Sequence, residues 1–374
     1  MRKIIFVGHR DMYFGAEAVM LKVLNIVNRE RLGIPIVILP TSRSDEFSKH
    51  LKSEGIDSVQ RANFKLINGS FVRSVLCVIY NVLANLGIFL RLLKEDVKLV
   101  YTNTSVNIFG ALLAWALQKP HIWHFHEQPT GSEFKWIPRL LFPLYIYLIR
   151  RRDTKLIFIS KCQKDLWEIE FGVTIHNFEI IYSPPLSVSD ETFVASIDRT
   201  VRVGFLGSFS TSKNIFSLLR SFSVVKKKHL HVPLKLFLMG DGELKSDISR
   251  AIQELNISES VSIMQHSRDI TSFFSSIDIF VLPSYFESWG LVVLEAMSFR
   301  KAVICTENTG LKEILTRDQD CIFVDPLEND HLSDALETLV LNKSFRESLA
   351  SNAYQSFKRL NLEDRFQASI RSIF

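Results

Sequence analysis

Short unbroken runs of aliphatic and aromatic residues recur along the whole chain, separated by longer stretches with helical spacing. In the first half these runs are 3–8, 35–40, 97–102, 121–126, 155–160 and 179–183; in the second they are 201–207, 234–240, 261–264, 278–283, 301–306 and 321–325. They are continuous rather than alternating, which marks strands covered on both faces of a parallel sheet. The helical stretches between them supply the crossovers. Residues 183–200, "SPPLSVSDETFVASIDRT", are polar, carry two prolines and have no strong period, as an interdomain linker should. The pattern predicts an α/β protein of two doubly wound domains, 1–183 and 201–360, joined by a linker at 184–200. A C-terminal helix, 361–374, is expected to pack back on the first domain. Such domains bind ligands at the carboxyl ends of their strands, and two of them facing each other make a deep cleft.

Two apolar segments invite a different reading. Residues 74–90, "SVLCVIYNVLANLGIFL", lack charge but are slightly short and contain Asn81, Asn85 and Gly87, so a buried core helix fits at least as well as a membrane span. Residues 134–152, "FKWIPRLLFPLYIYLIRRR", are too short to cross a bilayer. Aromatics followed by Arg150, Arg151 and Arg152 suit either a helix lying on an anionic membrane surface or a packed helix with a solvated basic end. The net charge of +5 favours the membrane surface, because it is concentrated in the first half. Residues 1–195 carry 24 Lys and Arg against 18 Asp and Glu, too mild an excess for a dedicated nucleic-acid binder, and no nucleic-acid-binding motif is present. The four cysteines are scattered without a CxxC pair, so neither a zinc site nor a disulfide framework is indicated and a reducing, cytoplasmic setting is the simple reading. "MRKIIFVGHRD" reads as a strand after the start Met and not as a signal peptide.

The chemistry concentrates in "LPSYFESWGLVVLEAM", residues 282–297. Glu287 and Glu295 stand eight positions apart with only Ser288, Trp289, Gly290 and four aliphatic residues between them. A buried carboxylate is expensive unless something pairs with it. Here a strand leads into a loop bearing Glu287 and then a helix, with Ser288 as its expected cap, bearing Glu295. The two carboxylates are expected to act as separate acceptors toward one elongated, hydroxyl-rich ligand, as acidic residues hold a ribose in dinucleotide-binding folds. The N–H groups of Gly290 and Leu291 form a helix start that favours a phosphate.

These residues resemble the E-x7-E signature of the retaining nucleotide-sugar glycosyltransferases of family 4, which have two Rossmann-like domains facing a cleft, the GT-B architecture. Other segments agree with the resemblance: "FLGSFSTSKN" is similar to the strand–loop–helix that grips the donor diphosphate, "FLMGDGEL" to the G-x-G turn beside the nucleotide, "HFHEQP" to the strand end that brings a His toward the sugar, and "FGAE" to the family's G-G-x-E. The resemblance implies that Glu287 contacts the donor sugar, Glu295 holds the ribose, Lys213 faces the leaving diphosphate, Gly15 closes on the phosphates and His126 lies near the reacting carbon. Gly207, Ser208, Gly240, Gly242, Ser288, Trp289, Gly290 and Leu291 complete the implied donor site. It further implies retention of configuration, a nucleotide-sugar co-substrate, and neither a metal nor another cofactor.

The departures from the family pattern are local. Ser208 stands where the family often has Arg, leaving Lys213, helix starts, or another basic residue such as Arg10 or Arg268 to meet the diphosphate. Ser288 replaces a Gly, and "FRKAV" at 299–303 lacks the usual Gly and Pro. His124, His126 and Glu127 lack a third ligand patch for a metal, and "DQD" at 318–320 reads as a turn. The sequence thus predicts an enzyme that moves a sugar from a nucleoside diphosphate to a saccharide or lipid-linked acceptor in surface-polysaccharide or glycolipid assembly, peripheral to the cytoplasmic membrane. A sugar-nucleotide epimerase of the same fold, and a degenerate donor-binding subunit, are the alternatives.

Overall fold

The structure, a computed structural model, describes the chain except for residues 43–44, 57–58, 63–75, 77–78, 81–82, 130–141, 190–198, 266 and 268–269. It divides into two compact units: Met1–Ser183 with Leu362–Phe374, and Pro184–Asn361.

The first unit is built on the strands β1 (Lys3–Val7), β2 (Ile34–Pro40), β3 (Val59–Ala62), β4 (Val97–Asn103), β5 (His121–Phe125), β6 (Thr154–Phe158) and β7 (Phe178–Ile180). They form one parallel sheet in the order β3-β2-β1-β4-β5-β6-β7. The chain winds outward from β1 to β3, then returns to β4 on the other side, so the strand order reverses between β1 and β4. That switch point is where a doubly wound sheet opens a crevice at its carboxyl edge. One face carries two adjoining apolar clusters, Ile5, Val7, Val100 and Leu113 in one and Trp123, Phe125, Phe158 and Trp167 in the other, and the opposite face carries Phe6 and Tyr101. The C-terminal helix Leu362–Ile373 buries Phe366 and Ile370 in this unit, and the Phe374 ring stacks on Phe6 and Tyr101. Lys22 and Arg29 of the helix Gly15–Arg29 hold it by bonds of 2.7 Å to Glu363 and 2.9 Å to Gln367.

The second unit contains β8 (Val201–Leu206), β9 (Leu234–Met239), β10 (Val261–Met264), β11 (Ile279–Leu282), β12 (Ala302–Thr306) and β13 (Ile322–Val324). These are also all parallel, in the order β10-β9-β8-β11-β12-β13, with the reversal between β8 and β11. The "DQD" segment is a turn, with Asp318 in the left-handed region at φ 59°.

Within the fold, the structure departs from the sequence reading as follows. It adds β3, an edge strand paired only with β2, whose Gln60 and Arg61 hide it from an apolar-run search; the Arg61 guanidinium pairs with the buried Asp11 and donates to Ser48 Oγ at 2.9 Å. Where it is described, the segment 74–90 packs its apolar residues on the core only through Ile88 and Phe89. Leu76, Ile79, Tyr80, Leu83, Leu86 and Leu90 are exposed, and Leu93 beyond them continues the series. Among the described residues no helix is long and apolar enough to cross a membrane. Of the basic-aromatic segment, Phe142–Ile149 is helical and residues 134–141 lie outside the described set. Within the segment read as a linker, 190–198 also lie outside it, while Leu186 and Ser187 are hydrogen-bonded to Glu295.

Candidate functional site

At the β8 end of the second switch point, two loops lock together by backbone bonds. Gly207 donates to Met239 O at 3.1 Å, Phe209 to Asp241 O at 2.8 Å, and Leu244 to Phe209 O at 3.0 Å. This explains the G-x-G pair sterically. A Cβ at Gly240 would stand 2.0 Å from Gly207 O, and one at Gly242, where φ is 155°, would stand 2.6 Å from Phe209 O. The buried Phe209 ring anchors the loop, leaving the side chains of Ser208, Ser210 and Ser212 in a chain of Oγ contacts of 3.1 Å each. A 3₁₀ turn, Thr211–Lys213, then delivers Lys213 beside the helix Ile215–Lys228.

From the β11 side the loop 283–290 brings Glu287 to that lysine. Lys213 Nζ donates to Glu287 Oε2 at 2.6 Å and Ser284 Oγ to the same oxygen at 3.2 Å. The glutamate's backbone is fixed as well, its N–H donating to Asn308 O at 2.8 Å and its carbonyl accepting from Gly310 N at 3.2 Å. Tyr285 N donates to Ser212 O at 3.0 Å, tying the two loops together. The helix Leu291–Ser298 starts from Gly290 in the left-handed region, φ 87°, without a side-chain cap. Ser288, expected to cap this helix, does not: glycine makes the turn because a left-handed residue at this position disfavours a Cβ. Trp289 is buried in the core, and its carbonyl accepts from Thr309 Oγ1 at 3.4 Å.

Glu295 is 4% exposed, and the partners it was expected to need include the chain's own amides. Its Oε1 accepts from Leu186 N at 3.1 Å and Ser187 N at 3.4 Å. The second unit therefore brings Gly207, Ser208, Lys213, Gly240, Gly242, Glu287, Gly290 and Leu291 to the carboxyl ends of β8, β9 and β11. Glu295 lies one turn into the helix, and Arg268 is outside the described residues.

The first unit carries Gly15 and His126. Gly15 opens the helix Gly15–Arg29, whose Glu17 accepts from Phe14 N at 3.3 Å. His126 follows β5 and donates from Nε2 to Asn103 Oδ1 at 2.9 Å; burial pushes its imidazole down to about 3. Beside it His9 Nδ1 lies 3.3 Å from Glu17 Oε1, with the two side chains 5% and 2% exposed. Neither His9 ring nitrogen, nor Glu17 Oε1, has a hydrogen-bond partner among the described residues. Burial first, then Arg10 and His126, push His9 down to about 3, and burial pushes Glu17 up to about 7. Neither His9 nor Asn103 stands out in the sequence, and the one signal for Glu17 is its place in "FGAE". Among the described residues no group of three or more His, Cys, Asp or Glu side chains is set to hold a metal.

Residues 192–356 match the family model "Glycosyl transferases group 1". An uncharacterized glycosyltransferase of Haemophilus influenzae is 25% identical over 248 residues, 65% of this chain and 67% of that one. The capsular polysaccharide biosynthesis glycosyltransferase CapM of Staphylococcus aureus is 26% identical over 182 residues, 48% of this chain, so the chain spans about half of that relative's length (46%). The crystal structure of Anabaena HepE in complex with UDP-glucose superimposes with a TM-score of 0.78 at 18% identity, covering 100% of this chain and 99% of that one. The chain therefore has the two-domain GT-B fold, and its residues 192–356 are similar to the group 1 glycosyl transferases. Its two units are the two Rossmann-like domains of that architecture.

Proposed function

We propose that the protein transfers a hexosyl group from a nucleoside diphosphate sugar to an acceptor hydroxyl, with retention of configuration and without a metal ion, in cell-surface polysaccharide or glycolipid assembly. The observation that carries this reading is the Lys213–Glu287 pair at the β8–β11 switch point, in the loop that leads into a helix start without a side-chain cap. A leaving diphosphate needs positive charge where its own charge develops, and a fixed cation with helix amides supplies it. The sugar–phosphate C–O bond breaks, the acceptor oxygen bonds to the same carbon on the same face, and the acceptor's proton passes to the departing phosphate. Lys213 stabilises the diphosphate, Glu287 contacts the sugar, and Glu295, with one oxygen already held by backbone amides, is assigned to the ribose. Gly15 and His126 of the first unit are assigned to the phosphates and the sugar by the same resemblance, and Arg268 remains a candidate second cation.

The acceptor is proposed to be lipid-linked and the protein peripheral to the cytoplasmic face of a membrane. Leu76, Leu83 and Leu90 are 59%, 66% and 51% exposed at helical intervals, with Arg91 and Lys94 beside them, and this mixture suits an anionic interface. The capsular relative supports the polysaccharide context. A panel of UDP-, GDP- and ADP-sugars, run with an oligosaccharide-lipid acceptor and with or without chelator, tests the reading. Transfer from one donor, unaffected by chelator, is expected; loss of activity with chelator overturns metal independence, and conversion of donor to an epimer without acceptor overturns transfer.

A further inference from the structure

Asn103 is fully buried at the end of β4, beside the first switch point, and both ends of its amide are used. Its Nδ2 donates to the carbonyl of Ala16 at 3.1 Å, and its Oδ1 faces His126 Nε2 at 2.9 Å. The Ala16 oxygen is an acceptor only, so the amide cannot be turned round without bringing two acceptors together. Oδ1 is likewise only an acceptor, so His126 must hold its proton on Nε2. We propose that Asn103 is a positioning residue that fixes His126 as the Nε2–H tautomer, leaving Nδ1 a bare acceptor, and that the sugar group His126 meets is therefore a hydrogen-bond donor, a hydroxyl or amide N–H, and not a carboxylate.

A neutral imidazole protonated on Nε2 carries its lone pair on Nδ1. Burial keeps the ring neutral. His124 of β5 lies against it with ring centroids 4.1 Å apart, and His9, which follows β1, is near it, with Arg10 acting on His9 and Glu17 Oε1 3.3 Å from its Nδ1. The opposing influence is the Glu127 carboxylate, whose Oε2 is 3.4 Å from the His126 backbone N–H. That oxygen is already engaged by Ser105 N at 2.9 Å and Ser105 Oγ at 2.6 Å. A neutral ring with a bare nitrogen attracts a hydroxyl proton and repels the lone pairs of a carboxylate. The tautomer follows from the first unit alone; only the selectivity rests on the proposed transfer reaction, in which His126 meets the donor sugar.

The test has two separable arms. Nitrogen-15 NMR of histidine-labelled full-length protein, with His126→Gln to assign the signals, should find Nε2 protonated and Nδ1 bare throughout pH 5–8, and Asn103→Ala should let both tautomers appear. A proton on Nδ1, titration of His126 near 6.5, or a ring unchanged in Asn103→Ala overturns the proposal. If Asn103→Ala does not fold, Asn103→Asp serves instead: a carboxylate beside Nε2–H should bring His126 into titration within that range, and a ring that still does not titrate counts against it. In the second arm, initial rates with UDP-glucose and UDP-glucuronate should differ by about tenfold or more in favour of the neutral sugar, and Asn103→Ala should narrow the gap. Equal rates, or a gap untouched by Asn103→Ala, overturn the selectivity. Failure of both donors in wild type counts against this selectivity and, with the other nucleotides also inactive, against transfer itself, while the NMR arm judges the tautomer in either case.

Discussion

The two switch points treat buried polar groups in opposite ways. In the second unit the carboxylates meet donors: Glu287 has Lys213 and Ser284, and Glu295 has the amides of Leu186 and Ser187. In the first, His9 and Glu17 Oε1 are shut away from water without hydrogen-bond partners among the described residues, and burial drives both groups toward their neutral forms. Charge held in place suits a diphosphate that departs with negative charge. Neutral groups suit the handling of hydroxyls, for which a fixed ion would be a competing partner. One architecture thus carries two kinds of site, distinguished by what each loop donates.

The sharpest way to break this contrast is Lys213→Ala. The account expects kcat to fall roughly 10²–10³-fold, with Lys213→Arg recovering part of it and thermal stability nearly unchanged, since a partly exposed ion pair is worth about 0–1 kcal/mol. Steady-state kinetics with the selected donor checks this, and an unchanged kcat would make the pair structural. Next comes pH. Glu17 ionises at 4.5 when unfolded and at about 7 when folded, so its contribution is fully present below 4.5 and is lost as pH rises through 7. Glu17→Gln should therefore gain on wild type between pH 4.5 and 8, by up to about 3 kcal/mol, in urea melts; a pH-independent difference contradicts the buried neutral acid. His9 acts in the other direction. Its folded value near 3 lies below 6.5, so stability present above 6.5 is lost as pH falls toward 3, and acid melts of Glu17→Gln should retain that limb.

A smaller effect is expected from Glu295→Ala, which leaves two amides without their acceptor and should cost about 2 kcal/mol. Glu295→Gln keeps an oxygen for them and should cost clearly less, in the same melts; equal losses would mean the amide bonds do not matter. The smallest effect lies on the surface of the first unit. Leu83→Glu or Leu90→Glu should weaken flotation with anionic vesicles about tenfold, as expected for one leucine removed from the interface. Stability should stay within about 0.5 kcal/mol, and unchanged flotation would remove the membrane from the account.

Much of this architecture was legible because strand, loop and helix follow one another locally. The apolar runs marked every strand except β3, whose Arg61 faces a buried Asp11 that only the folded sheet brings near. The segment around Glu287 and Glu295 could be read because fifteen consecutive residues carry the pattern. What escaped depends on contacts distant in sequence. Asn103, Ala16 and His126 meet only when β4 and β5 lie beside the start of the first helix, and nothing in a run of residues announces that an asparagine will choose a tautomer. The helix start at Gly290 was misread as Ser288 because side-chain capping is the commoner solution, and a left-handed glycine performs the turn without it. The exposed side of the 74–90 segment was not legible, because a helical apolar stripe looks the same in sequence whether it faces a core or solvent.

The central claim is that the second unit holds a nucleoside diphosphate through Lys213. Calorimetric titration of the full-length protein and of Lys213→Ala with UDP, GDP and ADP tests it directly. The account predicts that one diphosphate binds the wild type and binds the variant about tenfold or more weakly, the loss expected for one charge-assisted hydrogen bond. Binding of none of the three, or equal binding to both proteins, would contradict it.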